Sequence, residues 1–173
     1  MSLTLAQFND LSQEVAVSKL LICCTSSAWA NKLAYARPFA DVDALLASSD
    51  AIWDEVQTNE ANLLEAFDGH PQIGNVASLK EKYRNTQSSA AHEQSGANDA
   101  ADDVLEALAK ANQDYLDKFG FIFIVFATGK SAAQMLDLLL SRLPNDRATE
   151  LANAAAEQNK ITRLRLRKLL AMV

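Results

Sequence analysis

Cysteine, histidine, proline and glycine are all scarce in this chain: two, two, three and five among 173 residues. The two cysteines, Cys23 and Cys24, are neighbours inside an apolar run. Adjacent residues of a helix point in different directions, and no distant cysteine can partner either one, so a disulfide framework is excluded. So few histidines and cysteines give no metal-ligand spacing, and no resident metal or other cofactor is expected. No phosphate-cradling glycine loop follows a strand-like run, and no Ser-His-Asp arrangement stands out. Positive charge is short too. A net charge of −6 argues against nucleic-acid binding, since the one basic cluster, Arg163 to Lys168, is brief and interleaved with leucine. Long hydrophobic runs are missing: the longest, Phe119 to Ala127, falls far short of the ~20 residues a membrane helix needs. The first residues lack the basic start and apolar core of a secretion signal, and Ala171-Met172-Val173 is not a peroxisomal address. A reduced cytoplasm is the expected setting, with no membrane partner.

What the chain does have is helix-forming material. Hydrophobic residues at 49% and charged residues at 22% suit a globular core rather than disorder. Abundant alanine and leucine, with little glycine or proline to interrupt them, favour helix over sheet. The expectation is an all-α fold, one domain over residues 1–173, as a bundle of about eight to nine helices with one buried extended apolar segment. Start signals stand at Thr4, Ser12, Thr25 or Ser26, Asp41 or Asp43, and Thr58-Asn59, giving five helices ahead of a glycine-containing loop. Val76 to Tyr83 reads as a short helix. A longer one begins near Ser89, with Asn98-Asp99 as a possible restart, and Gly120 caps its end. Phe119 to Ala127, dense in aromatic and β-branched residues, reads as the extended segment. Ser131 opens a helix that stops before Pro144, and Arg147 to Leu170 closes the chain.

The loop is Asp68-Gly69-His70-Pro71-Gln72-Ile73-Gly74-Asn75. Gly69 and Gly74 permit backbone angles closed to other residues, and Pro71 fixes its own φ while pushing His70 towards an extended conformation. An imidazole held rigidly at a helix end is a candidate proton donor or acceptor. The plainer alternative is a stiff turn whose histidine is capped or solvated. On the helix that follows, Ala90, Ala97, Ala101, Val104, Leu108 and Tyr115 form one stripe, and Glu93 falls inside it. An inward carboxylate needs a cation, a hydrogen-bonding partner or a raised pKa, whereas a Glu93 at an exposed helix start needs none. On the closing helix Arg165 lies between Ile161 and Leu169, while Lys160, Arg163 and Arg167 gather on the polar side. An inward arginine seeks a carboxylate, either Glu93 or that of an anionic ligand. Two function classes follow: an enzyme that holds an anion among these groups, and a non-enzymatic helical interaction module in which they are structural ion pairs.

Four stretches in order carry a resemblance: His70-Pro71-Gln72-Ile73-Gly74, Glu93-Gln94 with Ser95-Gly96-Ala97, Phe119-Gly120-Phe121, and Lys160 to Leu166. Over essentially its whole length the chain resembles the OHCU decarboxylases, where OHCU is 2-oxo-4-hydroxy-4-carboxy-5-ureidoimidazoline. The resemblance implies a cofactor-free, all-α enzyme that converts OHCU to (S)-allantoin at the end of urate oxidation. It implies His70 and Glu93 as catalytic residues and Arg165 as the arginine that binds the substrate. Pro71, Gln94 and the backbone of Phe121, Ile122, Phe123 and Ile124 would contact the substrate. It further implies a homodimer, with a hydroxyisourate hydrolase as a partner to consider. One position departs from the family pattern, which commonly has serine three residues before the glutamate; here it is Ala90, preceded by Ser88 and Ser89.

Overall fold

The computed structural model of the chain describes residues 2–71, 76–84 and 95–171. Among them are nine α-helices and no strand. They fall into two compact units, one made of the stretch up to His70 together with that from Leu151 onward, the other of Pro71 to Glu150.

The first unit contains α1 (Leu5–Asp10), α2 (Gln13–Cys23), α3 (Ser27–Tyr35), α4 (Val42–Val56), α5 (Glu60–Asp68) and most of α9 (Arg147–Leu169). Each of the first five starts at a residue whose side chain accepts a hydrogen bond from the new helix's own backbone: Thr4, Ser12, Ser26, Asp41 and Asn59. Where the sequence leaves Thr25 or Ser26 open, Ser26 is the cap; where it leaves Asp41 or Asp43, Asp41 is. α3 is central and packs on α2, α4 and α5. Its Trp29 and Leu33 are fully buried, as are Phe8 of α1 and Leu20 of α2. The Trp29 indole donates to Ser49 Oγ at 3.0 Å, so its one polar atom is satisfied inside the core. Trp53 of α4 donates likewise to the Ala155 carbonyl of α9 at 3.0 Å. Arg163 of α9 pairs with Asp50, whose carboxylate also accepts from Asn159. Arg163 was expected on the polar side with Lys160 and Arg167; those two are exposed, but Arg163 is half-buried because Asp50 draws it in.

The second unit contains α6 (Val76–Arg84), α7 (Ser95–Phe119), α8 (Ala132–Arg142) and the first turn of α9. α7 packs against α6 and α8. It runs unbroken through Asn98-Asp99, and its described buried face is Leu105, Leu108, Ala111, Tyr115 and Phe119, rotated slightly from the expected stripe so that Val104 is only half-buried. Gly120 ends α7 with φ +81°, a conformation that glycine adopts without Cβ strain, and its N–H bonds the Leu116 carbonyl at 2.8 Å. Residues 122–127 then run without regular structure. From Phe121 to Ala127 only Phe121 and Ile124 are buried, while Ile122, Phe123, Val125 and Phe126 are half-buried.

That irregular segment is held by a buried polar cluster. Glu150, with no exposed surface, accepts from Tyr115 Oη at 2.6 Å, Arg142 Nε at 2.7 Å and Asn145 Nδ2 at 2.9 Å. Arg142 in turn donates from Nη1 to the Ile124 carbonyl at 2.8 Å and lies 4.5 Å from the Phe123 ring centre. A backbone carbonyl outside any ladder thus finds a charged donor, which is what a buried polar group requires. Burial, reinforced by the bond to Glu150, pushes the Tyr115 phenol well above its ordinary value, so it stays a donor.

Candidate functional site

His70 sits just past the end of α5. The turn is made by Gly69 N–H to Ala66 O at 3.3 Å and His70 N–H to Phe67 O at 3.1 Å, and the buried Leu63, Ala66 and Phe67 fix the helix beneath it. Gly69 has φ −74° and ψ −6°, ordinary right-handed values, so conformational freedom is not why glycine stands here. Space is the reason. A Cβ at residue 69 would come within 3.0 Å of Thr25 Oγ1, Cγ2 and Cβ. Thr25 itself is pinned, because its hydroxyl bonds the carbonyls of Glu65 at 2.8 Å and Ala66 at 3.2 Å. The Glu65 carboxylate reaches the start of α3, where Ser27 donates to it from its backbone N–H and its hydroxyl. An acidic side chain at a helix N-terminus is favourably placed against the unsatisfied N–H groups and the dipole.

The His70 ring is half-buried and its Nε2 lies 2.6 Å from Gln158 Oε1 of α9. Gln158 is 1% exposed and Thr162, one turn on, is 2% exposed. Gln158 Nε2 donates to Thr162 Oγ1 at 3.1 Å, and Thr162 Oγ1 donates to the Gln158 main-chain carbonyl at 3.0 Å. Arg165, half-buried on the same helix, is near enough for its positive charge to act on His70, Cys23 and Cys24. Burial lowers the His70 pKa from 6.5; the bond to Gln158 opposes the shift and Arg165 adds to it. The ring is therefore neutral near pH 7. Both cysteines are free and buried at the end of α2. Loss of hydration pushes the Cys23 thiol up to about 12 and the Cys24 thiol up to about 11, against the lowering effect of Arg165.

Of the residues singled out from the sequence, His70 and Arg165 thus share one neighbourhood. Pro71 is exposed. Phe121, Ile122, Phe123 and Ile124 belong to the segment held by Arg142. Gln72, Ile73, Gly74, Glu93 and Gln94 lie outside the described residues, as does Ala90. Gln158 and Thr162 were missed, although a signal existed: they fall in line with Ala155 and Leu166, two polar residues within a stripe otherwise apolar. Glu150 with Arg142 was missed for want of such a signal, as charged residues flanking Pro144 read as surface. Among the described residues, no group of three or more His, Cys, Asp or Glu could hold a metal ion, and no helix is long and apolar enough to cross a membrane.

An imidazole kept neutral beside a guanidinium can exchange a proton next to a bound anion, the anion being held by charge and the ring by Gln158. Comparison with known proteins gives the chain a family. A crystal structure of OHCU decarboxylase in the presence of (S)-allantoin superposes with a TM-score of 0.69 at 35% identity, covering 93% of this chain and 99% of that one. A crystal structure of (S)-allantoin synthase, 20% identical with TM-score 0.69, shares the fold. The uric acid degradation bifunctional protein TTL of Arabidopsis thaliana is 36% identical over 159 residues, 92% of this chain and 48% of the relative. The chain thus spans about half of that relative, and 32% of the uric acid degradation bifunctional protein of Bacillus sp. (strain TB-90). The 2-oxo-4-hydroxy-4-carboxy-5-ureidoimidazoline decarboxylase of Halalkalicoccus jeotgali is 28% identical over 169 residues, 96% of this chain and 92% of the relative. The family model for OHCU decarboxylase matches residues 9–167, and the chain belongs to that family.

Proposed function

We propose that this chain catalyses the cofactor-free decarboxylation of OHCU to (S)-allantoin, the last step of urate oxidation. The observation that carries the reading is the neutral, half-buried His70, held by Gln158 within the field of Arg165, in a chain of this family. The names of the relatives, and the (S)-allantoin present with the OHCU decarboxylase crystal structure, point the same way. The chemistry needs no external electron sink. When the bond from the ring carbon to the carboxylate breaks, carbon dioxide leaves and its bonding electron pair passes into the adjoining imine. The resulting enol then takes a proton on one face of the neighbouring, former imine carbon, which sets the configuration of the product. The hydroxyl on the carbon that lost carbon dioxide gives up its proton and becomes the carbonyl. In this reading His70, tuned by Glu93, handles the proton, and Arg165 grips the anionic group. Gln94, Pro71 and the backbone of residues 121–124 hold the polar ring and ureido groups.

The proposal extends to one decarboxylase domain over residues 1–173, working in the cytoplasm as a homodimer. Relatives named as bifunctional proteins of uric acid degradation, and longer than this chain, support association with a second enzyme of the pathway, such as a hydroxyisourate hydrolase. The deciding experiment adds the protein to freshly oxidised urate and follows chiral allantoin by circular dichroism. A signal that rises faster than the spontaneous reaction is expected, with its loss in His70→Ala and a raised KM in Arg165→Lys. Wild-type production of optically active allantoin by His70→Ala would remove the proton-transfer role.

A further inference from the structure

The polar row from His70 into α9 has a direction. Thr162 Oγ1 carries a single hydrogen, and it is given to the Gln158 main-chain carbonyl at 3.0 Å, the usual back-bond of a helical threonine. What remains on that oxygen is lone pairs. The Gln158 side-chain nitrogen, 3.1 Å away, meets them as a donor. With the amide nitrogen turned to Thr162, the amide oxygen is turned to His70 at 2.6 Å. An amide oxygen can only accept, so the ring nitrogen facing it must carry hydrogen. The opposite amide orientation would set the amide oxygen against Thr162 Oγ1 and take the Thr162 hydrogen away from the Gln158 main-chain carbonyl, undoing the back-bond. Gln158 and Thr162 are 1% and 2% exposed, so solvent does not repair such a mismatch.

We infer that Gln158, set by Thr162, is a positioning residue that locks neutral His70 as the Nε2–H tautomer, leaving Nδ1 as the nitrogen that exchanges a proton with the substrate. The tautomer stands on the hydrogen-bond row alone; only the assignment of Nδ1 to the substrate proton rests on the decarboxylase reading. A second nitrogen of the same ring cannot serve, because its hydrogen is already committed to an acceptor inside the protein.

The test uses full-length protein with 15N-labelled histidine. The chain has only two histidines, so His92→Asn assigns the His70 signals. A long-range proton–nitrogen correlation spectrum well above pH 6.5 is expected to show a protonated Nε2 and an unprotonated Nδ1. In Gln158→Leu that preference is lost, and kcat falls at least about ten-fold while KM stays within about two-fold, as for loss of a transition-state interaction. Thr162→Val keeps the shape of the residue and removes the acceptor; it is expected to act in the same direction and serves if Gln158→Leu does not fold. A wild-type ring protonated on Nδ1, or a tautomer and kcat unmoved in both variants, overturns the inference. An unchanged kcat in a variant whose tautomer has altered overturns the assignment of Nδ1. A locked Nε2–H ring in an enzyme that His70→Ala leaves fully active would sink the proton-transfer reading while the tautomer stood.

Discussion

Thr25 occupies the space that a side chain at Gly69 would need, and its hydroxyl is already bonded to the carbonyls of Glu65 and Ala66. Threonine is β-branched and stiff at χ1, so it cannot swing aside without giving up those bonds. Gly69→Ala is therefore expected to destabilise the protein by about 1–3 kcal/mol, the usual cost of forcing a methyl group into a filled site. It should also displace His70, which follows directly in the chain, and so lower kcat. Denaturant unfolding of Gly69→Ala, Thr25→Ala and the pair together checks the cause. The two changes should be non-additive, with the pair better than the sum of the singles, because each relieves what the other disturbs. Simple additivity would place the effect of Gly69 elsewhere.

The pH dependence of the enzyme should carry the mark of a histidine held below its ordinary value. His70 is shifted down from 6.5 chiefly by burial, so the folded protein binds a proton there less readily than the unfolded chain does. Between 6.5 and the lower folded value the unfolded state holds more protons, and stability rises with pH across that window. Stability is thus complete above 6.5 and declines as pH falls through the folded pKa. Activity that depends on the neutral ring should likewise persist to a pH below 6.5 before its acid limb falls. The comparison of wild type with His70→Asn by thermal unfolding from pH 5 to 8 checks the first point. The His70→Asn curve should lose part of the acid-side decline. A kcat/KM profile whose acid limb lies above 6.5 would contradict the second.

Much of the helix layout was legible because helix starts are local events. Thr4, Ser12, Ser26, Asp41, Asn59 and Ser131 each cap a helix by accepting from a backbone N–H two or three residues on, and nothing distant decides it. Gly120 at φ +81° is equally local. What the sequence could not reveal depends on residues far apart in the chain. Gly69 looked like a conformational glycine, since its actual neighbour, Thr25, is brought to it only by the fold. Arg163 looked solvated because its partner Asp50 lies on α4. Gln158 looked like one polar residue among several until the fold set it against His70. The break from helix over residues 122–127 showed in their composition, but the cluster that fixes Ile124 joins α7, α8 and α9 and leaves no local trace.

That cluster makes a prediction of its own. Among the described residues, Glu150 is the only carboxylate in the hydrogen bonds of Arg142, and both side chains are buried. Removing one member of a buried, hydrogen-bonded ion pair costs about 3–5 kcal/mol, much of it for the charge left behind. Glu150→Ala is expected in that range by chemical denaturation. The paired replacement Glu150→Leu with Arg142→Met should be markedly less harmful than Glu150→Ala, because no buried charge is stranded. If the pair is no better than the single, the carboxylate is not compensating Arg142, and its bonds to Tyr115 and Asn145 account for the loss.

The cysteines are expected to be inert in the native protein despite their positively charged neighbour. Arg165 favours the thiolate, but burial opposes it and wins, pushing Cys23 up to about 12 and Cys24 up to about 11. At pH 8 the thiolate fraction of either is then roughly one in a thousand or less, and only the thiolate attacks a disulfide reagent. Access compounds the effect, since the two side chains are 1% and 2% exposed. A chromogenic aromatic disulfide should therefore titrate no thiol in the folded enzyme at pH 8, and both thiols once guanidinium unfolds it. Fast native-state labelling of Cys24 would mean that the Gln158–Thr162 row opens to solvent on the timescale of the reagent. The same opening would expose the acceptor that holds His70, so labelling and loss of turnover would then advance together.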